Sequence, residues 1–424
     1  MTLSRRDFVK GSLAAVSVAA FSPVLKAGVL GSDALGDRHL VILQLIGGND
    51  TINTFIPYTD SRYRTARPQL GIPDAGILQV DSKIGFHSAL SGLRDLYLQR
   101  KLAVVPHVGF SSLDRSHFRC EDVWMTANEN PAAEPRGWIG RWADLYTNEP
   151  HSPVSDIGFA TSTPRGLVAS RVLPTCLNDL ESFTVEGDAT DSAEATLFAN
   201  TLRANYAIKR DDAQLEVVRG SGNTAFGSID LLATVPSASV TAKYPNTALG
   251  KAFGVIARII QGNIGAKIFW VTLGGFDTHA AQVKPAAQGG ALTGTHAGLL
   301  ANVSSSLAAF QSDIEARGMA ERTMVLAWSE FGRRVAENAS LGTDHGKAGS
   351  LMLLGTRVEG GQFYGDAYDL ATLDEGDLRT HVDFRAAYAT IIRDWLGGDP
   401  EAVLGGRFEN LGFIEKAAVR RRAV

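Results

Sequence analysis

Leu40-Val41-Ile42-Leu43-Gln44-Leu45-Ile46 runs straight into Gly47-Gly48-Asn49-Asp50, and this junction decides the fold. Three other stretches repeat the pattern of a short apolar run that stops abruptly in Gly, Ser, Asp or His. Leu102-Ala103-Val104-Val105-Pro106-His107-Val108 leads through Gly109 to Ser116-His117. Lys267-Ile268-Phe269-Trp270-Val271-Thr272-Leu273 ends in Gly274-Gly275-Phe276-Asp277-Thr278-His279, and Thr323-Met324-Val325-Leu326-Ala327-Trp328 ends in Ser329-Glu330-Phe331-Gly332. Continuous apolar runs, rather than alternation, mark strands buried on both faces, as in a parallel sheet covered by helices.

Helical stripes lie between these runs. Leu90, Leu93 and Leu96/Tyr97 share one face, as do Leu300, Val303, Leu307, Phe310 and Ile314; Phe384 to Leu396 forms a third such stretch. Strand and helix in alternation predict a doubly wound α/β fold with a mostly parallel sheet. Parallel strands bring their C-terminal ends to one rim, where such sheets bind ligands. Asp50, Ser116, Asp277 and Glu330 are expected to meet there. Residues 150–245, rich in Ala, Ser, Thr and Asp, read as a helical insertion or cap, and residues 281–294 as a loop beside the rim.

The chain of 424 residues carries 41 Lys plus Arg against 45 Asp plus Glu, a formal charge of −4. That balance gives no nucleic-acid surface. Ser4-Arg5-Arg6-Asp7-Phe8-Val9-Lys10, followed by the apolar Gly11–Phe21 stretch, reads as a twin-arginine export signal over residues 1–30, cut between Ala20 and Ser32. The apolar run is too short to span a bilayer, which takes about 20 residues, and nothing after it is long enough either. The expectation is a protein folded in the cytoplasm, handed to the twin-arginine translocase, and periplasmic or secreted. Cys120 and Cys176 are far apart in sequence, and their pairing in an oxidising compartment stays open.

Two motifs point to a metal. Alternate residues of an extended chain face the same side, so Asp277 and His279 can reach one ion. In Gly342-Thr343-Asp344-His345-Gly346 the flanking glycines let adjacent Asp and His turn to a common centre. His and Asp suit zinc, manganese or iron. Asp114-Arg115-Ser116-His117-Phe118-Arg119 brings a hydroxyl, an imidazole and two guanidinium groups to a helix start, where positive potential favours an alkoxide or an anion; Asp114 or Ser116 can equally cap that helix. Arg333-Arg334 is either an oxyanion clamp or a solvated face.

Together the twin-arginine leader, Gly-Gly-Asn-Asp-x-x-Asn-Thr at 47–54, Ser116-His117-Phe118, Gly-Gly-Phe-Asp-Thr-His at 274–279, Ser-Glu-Phe-Gly-Arg-Arg at 329–334 and Gly-Thr-Asp-His-Gly at 342–346 resemble one bacterial family. It is the domain of unknown function numbered 1501, itself similar to the alkaline phosphatase and sulfatase superfamily. The resemblance implies an alkaline-phosphatase-like sheet with one or two divalent metals, zinc or manganese, at the strand ends. It assigns metal ligation to Asp50, Asp277, His279, Glu330, Asp344 and His345. Ser116 is the implied nucleophile with Thr51 as its rival, beside His117, while Arg115 or Arg119 holds the anion. The sequence departs from the superfamily where Glu330-Phe331 replaces an Asp-His pair, and where the Asp277–His279 spacing is shorter. The implied activity is hydrolysis or transfer of phosphate or sulfate esters, on a small-molecule or envelope substrate. The competing reading is a non-catalytic envelope protein that keeps the fold to bind a partner.

Overall fold

A computed structural model describes residues 36–415, apart from 148–151, 179, 181–182, 184, 186–191, 236–241 and 367. The twin-arginine segment and its cleavage region lie outside the described residues.

One mixed sheet organises the chain. Its strands are β1 (His39–Leu45), β2 (Leu102–Gly109), β3 (Asp156–Phe159), β4 (Thr175–Cys176), β5 (Ile268–Leu273), β6 (Thr323–Trp328), β7 (Gly349–Leu354), β8 (Gln362–Phe363) and β9 (Val382–Asp383). The spatial order is β8-β2-β7-β6-β1-β5-β3-β4, with β9 also paired to β2. The four strands expected from the sequence are present and run in one direction. β7 is the exception: it lies antiparallel to both β2 and β6.

Every residue of β1 is buried, and its side chains divide by parity. Val41, Leu43 and Leu45 enter one core with Val104, Phe269, Val271 and Val325. Leu40 and Ile42 enter the other with Val105, Trp270, Leu326 and Trp328. The first core is closed by Leu93, Phe253, Ile256, Val303 and Phe310 from the helices Ser91–Leu98, Ala248–Gly262 and Thr295–Ala316. The second is closed by Trp124, Trp138, Trp142, Phe384 and Tyr388 from the helices His117–Thr126, Trp138–Tyr146 and Phe384–Asp394. Burial on both faces is why the strand sequences are continuously apolar. Within residues 150–245 the structure places two strands, β3 and β4, on the sheet edge, and two helices, Ser192–Ala207 and Ala213–Ala233. Cys120 and Cys176 are both free thiols.

Asp156, on β3, is buried at 2% exposure. Burial pushes its carboxyl up to about 7, only partly opposed by the Ser155 hydroxyl. The folded state therefore keeps a proton that the unfolded chain releases near pH 4, so stability falls as pH rises from there to about 7. Asp156→Asn should abolish that fall. Urea titrations should show the two proteins diverging by a few kcal/mol between pH 4 and 7, about 1.4 kcal/mol per pH unit, and staying parallel above it.

Candidate metal centre

β6, β1 and β5 are adjacent in the sheet, so the segments that follow them, Ser329–Arg333, Gly47–Asp50 and Gly274–His279, leave the rim side by side. Gly47 has φ +120° and Gly48 has φ +74°. A Cβ at Gly47 would collide with the backbone of Phe276 and Asp277, and one at Gly48 with the Phe331 ring. Glycine is thus required for the three loops to meet.

Arg333 ties them together. Its side chain is fully buried, with Nε donating to Gly48 O at 2.8 Å and Nη1 to Thr343 O at 2.8 Å. Nη2 donates to Gly47 O, to Phe276 O at 3.2 Å and to Asp277 Oδ1 at 2.5 Å. Of the two expectations for this residue, clamp or solvated face, neither describes it. Its donors are spent on loop carbonyls and one carboxylate.

Asp277 Oδ1 is the focus of the site. His279 Nε2 and His345 Nε2 each lie 3.0 Å from it, and His117 Nε2 lies at 3.5 Å. The two Nε2 atoms of His279 and His345 are 2.9 Å apart. His117, Asp277 and His345 each offer one ligand atom within 4.8 Å of the others, and His279 adjoins two of them. Burial works to raise the Asp277 carboxyl, but the Arg333 guanidinium beside it outweighs burial, and the carboxyl is held at about 2.

Each imidazole is anchored from behind through Nδ1. His117 Nδ1 lies 2.6 Å from Glu330 Oε1, His345 Nδ1 2.9 Å from Arg115 O, and His279 Nδ1 3.2 Å from Asp344 Oδ1. Carboxylate and carbonyl oxygens only accept, so Nδ1 carries the proton in all three rings. Their Nε2 lone pairs then face one another around Asp277. His117 Nε2 is buried and has no hydrogen-bond partner. Three imidazole Nε2 atoms and a carboxylate oxygen turned toward one centre, with His117 Nε2 unpartnered, form a donor set that suits a divalent cation.

The structure thus brings Asp277, His279 and His345 together as the sequence suggests, and adds His117, which the sequence placed with the catalytic groups. Glu330 and Asp344 stand behind imidazoles. Asp50 is separated from the group: its buried carboxylate meets Arg67 Nη1 at 2.6 Å and Gln282 Nε2 at 2.5 Å. Burial favours its neutral form, yet the Arg67 charge holds its carboxyl below the usual range. Beside it His296, fully buried and bonded to Asn49 Oδ1 at 3.0 Å, is pushed down to about 3 by burial.

Ser116 is exposed at the N-cap of the His117–Thr126 helix, and its side chain makes no capping bond. Thr51 is buried, with its hydroxyl 2.6 Å from Ser350 Oγ and 3.2 Å from Tyr368 OH. Arg115 does not face an open anion site. Its Nε and Nη2 reach Asp377 Oδ2 at 2.9 and 2.5 Å, and Nη2 reaches Glu375 at 3.2 Å. Arg119 donates to Glu129 O at 3.0 Å and lies 3.4 Å from Asp114. His107, undecided from the sequence, occupies a bulge opposite Ser350 with φ +55° and stacks on His381 at 4.4 Å.

Sequence reasoning missed Glu121. It groups with His117 and Glu330, accepts from Gln44 Nε2 at 3.3 Å, and is raised to about 7 by burial and then by the Glu330 charge. Its signal was available: Glu121 follows His117 by four residues on one helix, so the two share a face.

Residues 248–406 match the family model described as "Protein of unknown function (DUF1501)". A DUF1501 domain is therefore found over the segment that carries Asp277, His279, Glu330, Arg333, Asp344 and His345. No curated protein matches the chain. Among solved structures, the chain is similar to the C-terminal periplasmic domain of EptC from Escherichia coli in complex with zinc. That TM-score is 0.32, with 13% identity over 76% of this chain and 75% of that one. It is also similar to the PsFucS1 sulfatase from Pseudoalteromonas sp., with TM-score 0.37 and 10% identity over 90% and 74%. The lipoteichoic acid synthase LtaP from Listeria monocytogenes gives TM-score 0.36 and 9% identity over 90% and 76%.

Proposed function

We propose that this protein is an exported, metal-dependent hydrolase or transferase of phosphate or sulfate esters. The observation that carries the metal is the inward convergence of three Nε2 lone pairs on Asp277 Oδ1. His117, His279, His345 and Asp277 would hold the ion, and nitrogen with carboxylate donors suits zinc or manganese. When bound, such an ion supplies Lewis acidity at the ester. The ester class rests on the resemblance of the motifs to the alkaline phosphatase and sulfatase superfamily, and export rests on the twin-arginine leader. Among the described residues no helix is long and apolar enough to cross a membrane.

The chain's own residues have separate tasks. Ser116 presents an unengaged hydroxyl at the positive end of a ten-residue helix, one residue before His117, and is the nucleophile in this reading. Arg119, with 38% of its side chain exposed, holds the anionic oxygens in preference to Arg115, whose guanidinium is bound to Asp377.

Metal analysis of the purified protein, followed by assays on chromogenic phosphate and sulfate monoesters, tests the proposal. Ser116→Ala should lower kcat by roughly a thousand-fold or more while leaving metal content unchanged. With no capping bond to lose, its stability should stay within about 0.5 kcal/mol of wild type. Thr51→Ala is the control, expected to touch stability and spare turnover. An active Ser116→Ala beside an inactive Thr51→Ala would reverse the assignment. A metal-free wild type inert towards both ester classes would favour a binding role.

A further inference from the structure

We infer that Glu330 is a positioning residue for the metal centre and not one of its ligands: it fixes His117 as the Nδ1–H tautomer and so delivers Nε2 to the ion. The inference rests on the metal reading above, but it concerns a hydrogen bond that exists without the ion.

Glu330 is fully buried, the second residue past the end of β6. Its Oε1 accepts from Gly47 N at 2.8 Å and from His117 Nδ1 at 2.6 Å, and Ser329 Oγ lies 3.0 Å from Oε2. The Ser329 hydroxyl is held in turn, 2.7 Å from Leu45 O and 2.9 Å from Asn49 N. The carboxylate is thus held by groups from the segments that follow β1 and β6. Its nearer oxygen is occupied by an amide and an imidazole. A buried anion at 2.6 Å leaves the His117 ring one stable tautomer, with the proton on Nδ1. The Phe331 ring, 4.8 Å from the His117 centroid, packs against the imidazole and limits its tilt. What remains is Nε2, buried and unpartnered, aimed at Asp277.

An ion held instead by His117 Nδ1, Glu121 and Glu330 is the competing use of the same carboxylate, since these three also form a cluster. It would have to displace the Nδ1 proton from the shortest contact in the cluster and compete with the Gly47 amide for Oε1. Orientation of a ligating imidazole by an outer carboxylate makes a smaller demand: it needs nothing to move.

The test uses the metal-free full-length protein and zinc alone. Nitrogen-15 NMR of the histidine rings should show His117 protonated on Nδ1 in wild type, with Glu330→Ala shifting it to the Nε2–H form or a mixture. Glu330→Gln, which can still accept through its amide oxygen and donate to Ser329, should fold normally and keep the Nδ1–H tautomer. Zinc affinity, read by competition with a chromophoric chelator, should fall roughly 10- to 100-fold in Glu330→Ala and less in Glu330→Gln, with stoichiometry unchanged in both. An unchanged His117 tautomer in Glu330→Ala overturns the inference. So does a zinc-loaded wild type whose ion is bonded to His117 Nδ1, or loss of one bound ion in Glu330→Gln. If wild type binds no zinc, the metal reading fails while the tautomer measurement still decides the role of Glu330.

Discussion

Arg67→Met should lower the unfolding free energy by about 3–5 kcal/mol, because it strands an anion in the protein interior. Both partners of the Arg67–Asp50 pair are shielded, with side chains 0% and 1% exposed. Arg67 also donates to Val335 O at 2.8 Å and Arg334 O at 2.8 Å, so its loss opens the loop that leads from Arg333 to the rim. Adding Asp50→Asn removes the stranded charge, and the double variant should recover much of the deficit. Chemical denaturation of the four proteins of this cycle gives the coupling directly. A penalty below about 1 kcal/mol for Arg67→Met would mean that Asp50 finds another cation, which would return it to the ligand role the motif suggested.

His345→Ala should be the most damaging single change to metal binding. It removes an Nε2 donor, the 3.0 Å contact to Asp277 and the bond to Arg115 O. Because losing an outer-shell partner alone costs 10- to 100-fold, the loss here should be at least about 100-fold in zinc affinity. Asp277→Asn should behave alike. The readout is the shift in melting temperature on adding zinc, since an ion that binds only the folded state stabilises it by about 2.7 kcal/mol at a hundred times its Kd. Wild type should shift upward and both variants should not. Comparing each protein with and without zinc separates ligand loss from the disturbance of Arg333. Equal shifts in all three would reduce the cluster to an ordinary polar surface.

The central strands were legible because burial on both faces leaves an unbroken apolar run, and β1, β2, β5 and β6 fall within a residue or two of the stretches read from sequence. β7 was not read. Its six residues begin Gly349-Ser350, and its reversed direction is set by the path of the chain, which no local pattern encodes. The same division runs through the site. Asp277 and His279 were legible because a single residue separates them on the chain, and His345 because glycines flank its motif; that the two motifs meet is set by the fold. The partners of Asp50 and Glu330 were not, since Arg67 and His117 reach them across loops. Motif reading treats every acid at a strand end as a ligand; whether it faces the ion, a ring or an arginine depends on side-chain packing. Arg333 stayed open between a clamp and a solvated face for the same reason: a guanidinium that gathers four carbonyls has no sequence signature of its own.

The position of β1 has a consequence for synthesis. It occupies the middle of the sheet, yet its neighbours are Ile268–Leu273 on one side and Thr323–Trp328 on the other. A growing chain emerges from the ribosome N-terminus first, at about 5–20 residues per second. For the time it takes to translate more than two hundred further residues, both edges of this strand, buried throughout in the folded protein, have no native partner. Neither core can close before β6 arrives, so folding must be late and nearly all at once. A chaperone that shields residues 39–45 during that interval should raise the yield of folded protein more than one that acts after release.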